Sequence, residues 1–149
     1  VPAFPSVAGR QNSATTTAGT SHTISFDAAP SAGDLLVVFA VFDGVPAITW
    51  PADWIQVASM DSGTAIRSEV RYKVAAGEGA SISLSTGVSA EMQARAWRIA
   101  AGSFHGTPRV ESSRAAGTSA SPNPPVLSPF WGSADYLWLA LNGADGSSV

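Results

Sequence analysis

Ala65-Ile66-Arg67-Ser68-Glu69-Val70-Arg71-Tyr72-Lys73-Val74 alternates with a period of two. Ile66, Val70, Tyr72 and Val74 fall on one side, and Arg67, Glu69, Arg71 and Lys73 on the other. A β-strand sends successive side chains to opposite faces, so this spacing predicts a half-buried antiparallel strand with a wet outer side. Residues 80–86 repeat the pattern, with Ile82 and Leu84 inward and Ser81, Ser83 and Ser85 outward. Ala75-Ala76-Gly77-Glu78-Gly79 supplies glycines for a short turn, and the two segments are expected to pair as a hairpin.

Further strands are expected at 21–26, 35–42, 47–50, 55–59, 110–115, 125–127 and 136–142. Turn-forming clusters separate them, among them Pro30-Ser31-Ala32-Gly33-Asp34, Asp43-Gly44, Asp61-Ser62-Gly63 and the proline-rich residues 122–129. Residues 89–101 carry helix-forming types. A strand is nevertheless favoured there, with a bulge near Ala96 reconciling Met92, Ala94 and Ala96 with Trp97 and Ile99. About eight to ten short strands at such spacing predict an all-β, antiparallel two-sheet β-sandwich of jelly-roll-like form. Residues 1–19 are read as an extended N-terminal arm or edge segment. Residues 20–149 are read as the sandwich domain, incomplete at its C-terminus because the chain breaks off soon after a strong strand.

Composition narrows the function classes. The chain has 149 residues, room for one domain with a genuine core. Charged residues are 13%, about half the usual share, so the surface must be built from Ser, Thr, Gly, Ala and Asn. That favours packing against neighbours over solubility by repulsion. The net charge is −3, and the seven Arg and one Lys form no basic run, which argues against nucleic acid or an anionic membrane as partner. There is no cysteine, hence no disulfide and no thiolate metal site. The longest apolar run, residues 35–42, is strand-sized and too short for a membrane helix. The opening Val1-Pro2-Ala3-Phe4-Pro5 lacks the basic and long apolar regions of a signal peptide; it fits removal of a Met or of a longer leader.

Catalytic patterns are missing. His22 and His105 lie about eighty residues apart, without metal-ligand spacing, and no nucleophile elbow accompanies them. Asp43, Asp53, Asp61 and Asp145 are placed in loops, where aspartate commonly bonds its own turn. No phosphate-binding loop occurs. The expectation is therefore a protein that is not an enzyme and holds no cofactor or metal.

Two features offer binding surfaces. Trp50-Pro51-Ala52-Asp53-Trp54 brings two indoles near a strand end, where Trp50 and Trp54 either stack on a glycan or plug the end of the fold. Residues 35–42 and 136–141 are apolar on both faces, so one face of each needs a cover. A loop, the N-terminal arm or another subunit would serve. In the second segment Leu137, Leu139 and Leu141 form the expected core face. Tyr136 and Trp138 point outward as a candidate assembly surface.

Four strings carry a resemblance: Ala32-Gly33-Asp34-Leu35-Leu36-Val37-Val38; Thr49-Trp50-Pro51 through Trp54; Arg71-Tyr72-Lys73-Val74-Ala75; and Ala94-Arg95-Ala96-Trp97-Arg98-Ile99. Spread over most of residues 30–142, they resemble a family of β-sandwich domains in tailed-phage virion structural proteins, capsid decoration and tail-associated proteins included. Similar patterns also occur in bacterial sequences. The resemblance implies a virion-surface protein, a homo-oligomer such as a trimer, that binds capsid or tail proteins, and it brings no functional residues with it. Related domains often run longer, implying a further C-terminal strand or domain. The alternative is a carbohydrate-binding or adhesive module on a phage fibre or a secreted, extracellular bacterial protein.

Overall fold

The computed structural model describes residues 4–104, 106–117, 123–130, 132 and 136–144. They form an all-β structure with six strands: β1 Val7–Ser25, β2 Leu35–Asp43, β3 Ile48–Thr49, β4 Ile55–Ser62, β5 Ile66–Val74 and β6 Ser81–Ile99. The strands make one open antiparallel sheet in the order β1-β6-β2-β5-β4, with β3 on a second stretch of β6. No second sheet is found among the described residues, and no strand follows Ile99 among them. Residues 110–115, 125–127 and 136–142, expected as strands, have no ladder partner.

The single sheet bends. His22 pairs with Leu84, and Phe42 pairs with Met92. Eight residues of straight strand would separate those two positions on β6 by about 26 Å. Yet the His22 and Phe42 rings meet edge to face at 5.6 Å. On β1 the Ser25 amide donates to the Ser13 hydroxyl at 2.8 Å, although twelve extended residues span about 40 Å. The long β1/β6 ribbon therefore folds over on itself. Register irregularities fall at Thr15/Gly19 and Gly19/Ser21, and Gly87 lies opposite on β6. Ile24, Phe26, Ile82 and Leu84 from one half join Leu36, Val38, Ala40, Phe42, Met92, Ala94 and Ala96 from the other in the main core.

Two local expectations are corrected. Residues 65–74 and 80–86 do not pair as a hairpin: β2 lies between β5 and β6 and bonds to both. A strand apolar on both faces gains most from a central position, covered on each side. The hairpin partner of β5 is β4, across a turn in which Gly63 takes a left-handed φ of 57°. The bulge near Ala96 is also missing, since β2 and β6 stay in register there. Met92, Ala94 and Ala96 face the main core, whereas Trp97 and Ile99 face a second cluster with Leu35 and Val37 on the opposite side of the sheet. Both faces being buried, no irregularity is needed.

Of residues 1–19, read from sequence as arm or edge segment, residues 7–19 belong to edge strand β1.

Candidate functional site

The charged side of β5 is largely covered: Glu69 is buried, and Arg67, Arg71 and Lys73 are half-buried. Register places Arg67, Glu69, Arg71 and Lys73 beside Phe42, Ala40, Val38 and Leu36, on the main-core side of the sheet. The loop between β3 and β4 roofs this row. Trp54 is 6% exposed and belongs to the core, and half-buried Trp50 packs against it with ring centroids 5.7 Å apart. Buried Glu69 accepts bonds on one carboxylate oxygen from the Trp50 indole N–H and from Arg71 Nε, both at 2.9 Å. The Arg71 guanidinium stands 5.2 Å from the Trp50 ring centre and donates to Gln56 Oε1 at 3.0 Å. An aromatic face can thus roof charges, because the cation lies on the ring and the anion takes the ring's only N–H.

Trp50 and Trp54 therefore part company as glycan-stacking candidates. Trp54 is a core residue. Trp50 alone reaches a shallow groove of about 340 Å³, edged by the hydroxyls of Ser21, Thr49, Ser83 and Ser85. Ser21, Ser85 and Thr49 are register neighbours across β1, β6 and β3.

On the other face of the sheet lies the C-terminal strap, residues 136–144. Leu137, Leu139 and Leu141 pack against the cluster formed by Leu35, Val37, Trp97 and Ile99, together with Phe39, Val70 and Tyr72. The chain itself thus covers this apolar face. Gly143 lies so close that an added Cβ would come within 2.6 Å of Val41. Alternate residues point away: Trp138 is 56% exposed, and Tyr136, half-buried, meets it edge-on at 6.0 Å and donates its hydroxyl to the Gly132 carbonyl. Val126 and Phe130 are also exposed.

Asp61 is on β4 rather than in a loop, and both its oxygens accept from Arg67, which holds its carboxyl below the usual range. Asp53, at φ 69°, shapes the turn before Trp54 and lies 3.8 Å from Lys73; Asp43 ends β2. His105 and Asp145 lie outside the described residues. No group of three or more His, Asp or Glu able to hold a metal ion is present among the described residues.

Sequence reading missed the cluster of Glu69, Arg71 and Gln56 under Trp50, and no local signal links residue 50 to residue 69. It also did not place His22 inward, although His22 shares a period of two with Ile24 and Phe26, the signal that could have found it. Comparison with protein-family models, with curated proteins and with solved structures found no match.

Proposed function

We propose that this chain is a non-enzymatic structural protein of a phage virion, a capsid decoration or tail-associated domain acting through protein–protein contacts. The observation that supports it best is Trp138, more than half exposed on a strap whose alternate leucines are anchored to the sheet. Large aromatic side chains held rigidly at a surface lose little entropy on binding and are favoured at interface centres. Low charge density and the sequence resemblance point the same way. The finer architecture proposed with it is a two-layer, sandwich-like packing whose layers are joined through the bend of one sheet.

Light scattering on the whole chain over a concentration range tests the reading. Wild type is expected as a closed homo-oligomer, a trimer on the resemblance, and Trp138→Arg as a monomer with unchanged far-UV circular dichroism. A wild-type monomer at every concentration removes self-assembly, and an unfolded variant removes Trp138 as a contact residue.

A carbohydrate-binding role is the second reading, supported by the row of hydroxyls beside Trp50. It predicts that neutral soluble polysaccharides shift tryptophan emission, and that Ser85→Tyr, which blocks the groove, abolishes the shift.

A further inference from the structure

We propose that His22 is an acid-sensitive latch that holds the two halves of the folded-over sheet together and releases them when its ring takes up a second proton. The side chain is 1% exposed and lies at the joint between the halves, edge-on to Phe42. Its Nε2 lies 3.0 Å from the Thr86 hydroxyl, which in turn donates to the Gly19 carbonyl at 3.4 Å. With the hydroxyl proton committed to Gly19, Nε2 must be the donor to Thr86. That assigns a neutral ring whose Nδ1 carries a lone pair. Nδ1 is buried and has no hydrogen-bond partner among the described residues. A second proton would therefore place a charged N–H where nothing accepts it.

Among the described residues, no surrounding element offers a counter-charge. The core-facing residues of β1 are Ile24 and, just after it, Phe26; β2 brings Leu36, Val38, Ala40 and Phe42; β6 brings Ile82, Leu84, Thr86 and Met92; Ile48 comes from β3. The nearest charges on this side belong to β5, one strand beyond β2, and to β4. Arg67 is paired with Asp61, Glu69 with Arg71, and Lys73 with Glu78. Asp43 is exposed at the end of β2. Burial lowers the His22 pKa.

The sign follows. With the folded pKa depressed, the closed form has its full stability above the unfolded value of about 6.5 and loses it as pH falls. Between about 6.5 and the depressed value, the open fraction rises up to tenfold per pH unit. The latch acts whether or not the chain is a virion protein.

Hydrogen exchange on the whole chain from pH 8 to 4.5, corrected for intrinsic rates, is the test. A His105→Gln background leaves one histidine to follow by NMR. Amides of residues 19–25 and 81–86 should lose protection up to tenfold per unit below about 6.5, while in His22→Phe that dependence disappears. His22→Gln, uncharged and polar, serves if the Phe variant does not fold. Equal pH slopes in wild type and variant overturn the latch. So does a His22 ring that titrates near 6.5 in the folded protein with protection unchanged.

Discussion

Glu69 shows how a charged residue comes to be buried at a position that the sequence assigns to solvent. It is 7% exposed, and one of its oxygens takes both the Trp50 and Arg71 N–H groups. Glu69→Ala would strip Arg71 of its charge partner and leave the Trp50 indole without its acceptor. Removing one member of a buried pair costs about 3 kcal/mol, most of it from the partner left behind. Urea unfolding should show that loss together with a change in tryptophan emission as the roof loosens. Glu69→Gln, which still accepts from the indole, should lose less. The alternation of Arg67, Glu69, Arg71 and Lys73 was legible, whereas its destination was not. Period two says which residues share a face, and polarity then argues for water. A roof supplied from nineteen residues upstream reverses that argument, and nothing within the strand announces it.

Among the elements, β2 decides the topology. Its eight apolar residues reject a sheet edge and take the place between β5 and β6 that a local hairpin would have closed. Turn signals favour pairing between neighbours in sequence, and they held for β4 and β5 across Gly63. They failed where burying a doubly apolar strand outweighed them. The same bookkeeping explains the strap. Tyr136-Leu137-Trp138-Leu139-Ala140-Leu141 reads as a strand because its leucines alternate, and it uses that alternation to pack on the sheet without joining a ladder. Gly143→Val tests this directly, since the new side chain meets Val41 where a Cβ alone would come within 2.6 Å. Overpacking of this kind costs about 1–3 kcal/mol. The strap should lift, becoming readily cleaved within residues 136–144 under limited proteolysis, while far-UV circular dichroism of the sheet stays unchanged. A strap equally resistant in the variant would show that its leucines hold it without the close approach of Gly143 to Val41.

At the scale of the whole molecule, the all-β antiparallel class was legible in the period-two segments, but the path of the chain through one sheet was not. Ile24, Ile82 and Leu84 need something to face; that the partner is the far half of their own strands depends on a bend near Gly19 and Gly87, which composition does not locate. Arg98 on β6 pairs with both Asp27 and Asp34, at 2.8 and 3.5 Å. Asp27, just past the end of β1, accepts from Arg98 on β6 at 2.8 and 3.2 Å, and its carboxylate occupies the space that a side chain on Gly9 would fill. Arg98 holds the Asp27 carboxyl below its usual range. A depressed carboxyl stabilises the fold above its unfolded pKa of about 3.9, and the contribution disappears as pH falls through the folded value. Both side chains being partly exposed, solvent screening limits the pair to about 0.5–1 kcal/mol. Asp27→Asn should therefore lower the unfolding free energy read from urea titration by that amount at pH 7, and by less and less as pH falls below about 3.9 and wild type loses the same contribution. This loss begins near about 3.9 and that of His22 near about 6.5, and the two groups share no partner, so His22→Phe should leave the Asp27 difference intact. A difference between Asp27→Asn and wild type that stayed constant down to pH 2 would assign the Asp27 contribution to packing on Gly9, because packing does not titrate.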